Sequence, residues 1–197
     1  TPTVLFCRFS SGGTSVVVTF ASSTDRGQLA NTQSCSAYIE NTSALGNGCR
    51  SSWTTDKELQ LLLGAGATLV PGDILNLKRN VIRAYLSSSS YISGIMNVVA
   101  LRNFPVKVIL SSPAEISYCN DVVLDAISST GSSGRPFVVT WFVSFSATRA
   151  IEMQRILDSF NGSLQARIPS ALLLPGERYL FGVRLSNFFG IADSSTI

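Results

Sequence analysis

The 197-residue sequence has no histidine, and only 14% of it is charged. Without histidine the commonest general base and metal ligand is gone, so catalysis would need a carboxylate pair, a Ser-Lys arrangement or an activated cysteine. The acidic residues stand mostly singly and in loops, and the chain reads as a non-enzyme that needs no cofactor. The scarcity of charge excludes a second class of partner. A net charge of +3 comes from scattered Lys and Arg, not from the clustered basic face that grips nucleic acid. The four cysteines, Cys7, Cys35, Cys49 and Cys119, lack paired CxxC spacing, and with no histidine to complete a mixed site, zinc is excluded too. Long apolar runs are also missing. The windows 171–174 and 179–185 are split by Pro175, Gly176, Glu177 and Arg178, and none approaches the roughly 20 residues that cross a bilayer. The chain therefore reads as having no membrane segment, and no signal peptide is recognisable, as in a mature product.

What is present is β-forming. The organising stretch is 119–145, with an apolar β-branched run at 122–124, turn residues from Asp125 to Arg135, and Pro136 opening a long strand that carries Trp141. A tryptophan-centred strand opposite one that opens with cysteine is the pattern of an immunoglobulin-like sandwich, although the partner cysteine downstream is absent. Further strands are expected at 4–9, 15–20, 58–63, 74–77, 81–85, 95–101, 106–110, 164–168 and 179–185. One helix is expected over 149–160, where Met153, Ile156, Leu157 and Phe160 share a face and Thr148 caps the start. Such a stripe is core packing. The pair Gly64 and Gly66 marks a turn and not a phosphate loop, because no Lys-Ser or Lys-Thr follows. Asn103-Phe104-Pro105 reads as a hinge, which gives two domains, 1–103 and 104–197, each about the size that buries its own core. The fold class is all-β: two tandem β-sandwiches, the second immunoglobulin-like with one inserted helix.

Candidate site residues are few. Cys35 and Cys49 enclose a short polar loop that a disulfide would staple, contributing roughly 3 kcal/mol for a loop of about 15 residues. An even cysteine count in a Ser/Thr-rich chain points to an oxidising compartment. Two sequons, at Asn41 and Asn161, agree with secretion and with covalent glycans. Asp121 and Asp125 lie four apart on one strand face and, with Asn120, are the nearest approach to a calcium site; solvated strand-end carboxylates explain them as well, and no metal site is assigned. Trp53, Tyr38, Tyr85 and Tyr91 are the aromatics that a sugar-binding adhesin would use, whereas most aromatics in sandwiches are core.

The stretches CNDVVLDAISSTGSSGRPF with Trp141, and LPGERYLFGVRLSNFFG, resemble the receptor-for-egg-jelly module of polycystin-related ectodomains over about 106–191. The first half, with VVVTFASSTDRG, the Cys35 to Cys49 loop and LGAGATLVPGD, is similar to the β-rich module that commonly precedes it. The resemblance implies an extracellular or cell-surface protein that binds or assembles, with no catalytic residues to carry over.

The ends of the chain suggest a mode of assembly. Residues 191–197 look too short and polar to form a last strand, which would leave a sheet edge uncovered. The extended apolar stretch Val4, Leu5, Phe6, Cys7, Arg8 and Phe9 has the character of a donated strand. The expectation is a secreted glycoprotein subunit that self-associates head to tail into a filament. Cys7 would ride on the donated strand and bond Cys119 of the next subunit, or the same pair would bond within one chain. The alternative is a ligand-binding or adhesive ectodomain fragment of a polycystin-like receptor.

Overall fold

The structure, a computed structural model, describes residues 2–85, 90–100, 105–113, 115, 119–144 and 149–197. The chain divides into two compact units, Thr1–Asn103 and Phe104–Ile197. The expected hinge residues Asn103 and Phe104, the helix cap Thr148 and the strand end at Phe145 lie outside the described residues.

The first unit is built on β1 (Val4–Phe9), β2 (Ser15–Phe20), β3 (Thr32–Ser34), β4 (Arg50–Trp53), β5 (Glu58–Leu62), β6 (Ile74–Leu77) and β7 (Gly94–Val99). They form one sheet in the order β3-β4-β5-β2-β1-β7-β6. Every pairing is antiparallel except β1 with β7, where Cys7 and Arg8 lie beside Val98 and Val99. Alternation drives the packing: Val16, Val18 and Phe20 of β2, Leu59 and Leu61 of β5, and Leu75 and Leu77 of β6 all turn inward and are buried. A sheet with seven strands and one apolar face must roll to cover that face. It does so here, because β6 is met by the segment that follows β3: Ile39 bridges Leu77, Glu40 N–H donates to Asn76 C=O at 2.9 Å, and Lys78 N–H donates to Tyr38 C=O at 2.8 Å. Phe20 stacks on Trp53 with centroids 5.6 Å apart, and Tyr38 meets Trp53 edge-on at 5.8 Å. The glycine turn at 64–67 has a packing reason. A Cβ on Gly64 would strike the Asn47 carbonyl, since Asn47 and Ala65 form a bridge across the turn.

The second unit contains β8 (Val122–Asp125), β9 (Val138–Val143), the helix α1 (Ala150–Ser159), β10 (Gln165–Ile168), β11 (Phe181–Ser186) and β12 (Ala192–Thr196). β8 pairs with β10, and β9, β11 and β12 form a three-stranded antiparallel sheet. Between them lies a core of Val122, Leu124, Trp141, Val143, Met153, Leu157, Ile168, Val183 and Leu185. Trp141 is fully buried, and its indole N–H donates to the Ser163 carbonyl at 2.9 Å, so the largest core side chain leaves no orphaned donor. The helix presents Met153 and Leu157 to this core with Ile156 and Phe160 at its margin, as the stripe requires.

Three sequence expectations need correction. Residues 81–85 do not form a strand; Ala84 alone bridges Thr24. Residues 106–110 are not a regular strand either, because their bonds go to two places. Lys107 exchanges both backbone bonds with Thr130 and Ile109 N–H donates to Ser129 Oγ, while Val108 N–H donates to the Asp193 carboxylate on β12. The segment thus lies between the loop that follows β8 and the edge strand β12. Finally, the end of the chain is a strand: β12 pairs with β11 from Gly182 opposite Thr196 to Ser186 opposite Ala192.

Candidate functional site

The strand edges come first, because assembly by strand donation depends on them. β1 is interior to its own sheet. It pairs with β2 from Val4 opposite Phe20 to Phe9 opposite Val16, with β7 on its other side, and Phe9 is fully buried. Val4 to Phe9 is therefore not a spare segment, and β12 already covers the edge that 191–197 was expected to leave open. The premise for donation fails on both counts.

Two outer edges, those of β9 and β6, are closed by side-chain carboxamides. On β9, the edge away from β11 faces α1 and the turn after it. Gln154 Oε1 accepts from Val143 N–H at 3.1 Å, and its Nε2 donates to the Trp141 carbonyl at 3.0 Å. Asn161 Oδ1 accepts from Trp141 N–H at 3.1 Å, and Gly162 N–H donates to the Val139 carbonyl at 3.3 Å. On β6, Asn41 does the same work: Nδ2 donates to the Ile74 carbonyl and Oδ1 accepts from Asn76 N–H, each at 2.8 Å. A carboxamide has the donor and acceptor of a peptide group, so it satisfies an edge without offering a new one to another chain. Both sequon asparagines are among these edge caps, which sequence reading missed; their spacing to the strands they cap carries no local signal.

The cysteines separate cleanly. Cys35 and Cys49 form a disulfide with Cα atoms 5.5 Å apart, reinforced by Cys35 N–H donating to the Cys49 carbonyl. Cys7 and Cys119 are free thiols. Cys7 is buried in the first unit, and that burial pushes its pKa up to about 12, while Cys119 is exposed. No bond joins them.

The two aspartates at the ends of β8, Asp121 just before it and Asp125 its last residue, are committed within the protein. Asp121 pairs with Arg167 at 2.8 Å and accepts from Ser170 N–H at 2.8 Å; the Ser170 bond, then the Arg167 charge, hold its carboxyl below the ordinary value. Asp125 accepts from Ile127 N–H at 2.8 Å and from Gln165 Nε2 at 2.7 Å, and is likewise lowered. With these partners the carboxylates fasten the ends of the β8–β10 pair. Among the described residues no group of three or more acidic or cysteine side chains gathers to hold a metal.

Of the four aromatics considered for sugar stacking, Trp53 and Tyr38 are core, and Tyr85 and Tyr91 are exposed. Tyr91 is set in a built surface. Thr24, fully buried, anchors the start of a turn by donating from Oγ1 to the Asp56 carbonyl at 2.8 Å. Asp25 then collects Gly27 N–H, Arg83 N–H and Arg83 Nε–H, each at 3.0 Å. Arg26, Gly27 and Gln28 are all left-handed, with φ of 55°, 68° and 54°. For the two non-glycine residues this costs on the order of 1–2 kcal/mol each, which the Asp25 bonds and Tyr38 Oη donating to the Arg26 carbonyl at 3.1 Å hold in place. Gly27 is fixed by sterics as well: a Cβ there would lie 3.0 Å from Val81 and 3.1 Å from Tyr38. The Arg83 guanidinium sits 5.6 Å from the Tyr91 ring centroid. Asp25, Gln28, Asn80, Arg83 and Tyr91 line an open depression of about 200 Å³. The arrangement offers one aromatic face, one cation and the two carboxamides of Gln28 and Asn80 around a stiff turn.

Among the described residues no helix is long and apolar enough to cross a membrane. No protein family matches the sequence, and no curated protein does. Among solved structures, the crystal structure of domains A168-A170 from titin aligns with 92% of this chain at 13% identity and a TM-score of 0.30. The chain spans 56% of the length of that structure. A likeness that faint leaves the fold resting on the chain's own hydrogen-bonded pairing: an all-β protein of two units, a rolled sandwich followed by a two-sheet sandwich with one helix.

Proposed function

We propose that this chain is a non-catalytic extracellular binding module whose first unit holds a saccharide at the Tyr91 face, as part of an adhesive or receptor ectodomain. The observation that carries the reading is the Tyr91–Arg83–Asp25 arrangement. An exposed ring is braced by a guanidinium that Asp25 clamps at 3.0 Å, beside a turn in which Arg26 and Gln28 are held left-handed on either side of Gly27. Strained, over-determined backbone beside an exposed aromatic is the usual setting of a ligand contact, and sugars stack on such faces while amides take their hydroxyls. The Cys35–Cys49 disulfide supports an oxidising compartment. The resemblance to ectodomain modules agrees with the same class.

The filament reading has lost its mechanism, since β1 and β12 are both used within their own units. Probing the protein on a glycan array and titrating the best binder against wild type and Tyr91→Ala tests the proposal. Saccharide binding that weakens at least about tenfold in the variant, the equivalent of roughly 1.4 kcal/mol, supports it. An empty array, or binding indifferent to Tyr91, overturns it.

A further inference from the structure

We propose that Asn161 carries the N-glycan of this chain, and that Asn41, which heads an equally good sequon, stays bare because its amide nitrogen is a structural donor. The inference rests on the extracellular reading and deepens it. Both asparagines are exposed and both cap a sheet edge, but they use different atoms.

At Asn41 both ends of the carboxamide are engaged on β6. The Ile74 carbonyl and Asn76 N–H point to the same side of that strand, flanking Leu75, and each is 2.8 Å from its partner atom on Asn41. One planar amide meets both only with the hydrogen that lies on its oxygen side. N-glycosylation turns the amide into a secondary one, and secondary amides strongly prefer the trans arrangement, as the peptide bond does. That preference puts the sugar carbon on the oxygen side, in place of the hydrogen that now bonds Ile74. A glycan at Asn41 is therefore incompatible with the closure of β6 onto the segment that ends at Asn41.

At Asn161 the oxygen does the structural work. Oδ1 accepts from Trp141 N–H at 3.1 Å, and Nδ2 makes no hydrogen bond to any described residue. A glycosylated amide keeps its oxygen as an acceptor, so the cap on Trp141 survives. The residue sits on the exposed turn between α1 and β10, where Ser163, the third sequon residue, is itself exposed. A glycan there adds bulk beside the β9 edge that Gln154 and Asn161 already satisfy, which is a further guard against edge-to-edge pairing.

The test is secretion of the whole chain from eukaryotic cells behind a signal sequence, followed by enzymatic glycan release in heavy-oxygen water and peptide mass spectrometry of the folded, secreted fraction. The expected result is heavy-oxygen conversion at Asn161 and unconverted Asn41. Ser43→Ala, which removes the first sequon and keeps Asn41, leaves the glycan mass and the secreted yield unchanged. Conversion at Asn41 in folded protein, or a bare Asn161, overturns the inference. The extracellular reading fails separately: it is sunk if Cys35 and Cys49 of the native protein alkylate without prior reduction, whatever the sequons do in forced secretion.

Discussion

Gln154 offers the sharpest perturbation, because one half-buried helix residue satisfies two backbone groups of the edge strand β9. Its carboxamide meets Val143 N–H and the Trp141 carbonyl, and its nitrogen also donates to Asp158 Oδ1 at 2.8 Å. Trp141 and Val143 are 0% and 2% exposed, so water reaches their backbone only from the edge that Gln154 covers. Leaving a buried donor or acceptor unmet costs about 1–3 kcal/mol. With two groups affected and some water entering at the rim, Gln154→Ala should destabilise the second unit by about 2–3 kcal/mol, which lowers the melting point of a domain this size by roughly 10 °C or more. Gln154→Glu keeps the acceptor for Val143 but turns a carboxylate toward the Trp141 carbonyl and Asp158. The charged form is disfavoured in the folded state, so the introduced carboxyl has a folded pKa above its unfolded one. The destabilisation is then full above the folded pKa and fades as pH falls toward the unfolded value, where the protonated acid can donate to Trp141. Hydrogen-exchange mass spectrometry across a urea series reads each unit through its own peptides. The reasoning fails if Gln154→Ala stays within about 0.5 kcal/mol of wild type and the amides of 138–143 keep their protection.

Two other predictions concern titratable groups. Iodoacetamide at pH 8 should alkylate Cys119 quickly and leave Cys7 unlabelled until denaturant is added, because burial raises the Cys7 thiol to about 12; intact mass before and after denaturation counts the labels, and two labels on the native protein would contradict the burial of β1. Asp121 and Asp125 both have folded pKa values below the ordinary 3.8, through bonds from Ser170 N–H and Ile127 N–H respectively. Their contribution to stability is fully present above that value and is lost as pH falls through the folded values, so Asp121→Asn and Asp125→Asn should each flatten the acid limb of second-unit stability below about pH 4. An unchanged acid slope in urea titrations at stepped pH would count against these bonds.

The elements that read clearly from sequence are those whose apolar side chains cluster or recur against a core. β1, β2 and β6 announce themselves by apolar, β-forming runs between turn residues, and α1 by Met153, Ile156, Leu157 and Phe160. β12 does not, because Ala192, Asp193, Ser194 and Thr196 face solvent and the strand is held by its backbone pairing to β11, which polar composition at a chain end does not reveal. β3 and β4 are polar for a similar reason, with Trp53 the main apolar anchor. The converse holds at 106–110 and 81–85, which are apolar enough for strands but whose hydrogen bonds are divided between separate partners. Nothing local marks the Tyr91 site either, since Asp25 and Arg83 stand 58 residues apart. The edge caps are equally silent: Asn41, Gln154 and Asn161 look like ordinary surface amides until the strands they face are known.

The central claim is that each unit is completed by its own strands. Hydrogen exchange on 4–9 and 192–196, measured at high and at very low protein concentration, tests it most directly. The account predicts slow exchange of the β1 amides and measurable protection of β12, with rates that do not change on dilution and a sedimenting mass of one chain. Rapid exchange of 4–9 in dilute protein, with protection returning only as higher-mass species form, would contradict it and restore strand donation between copies.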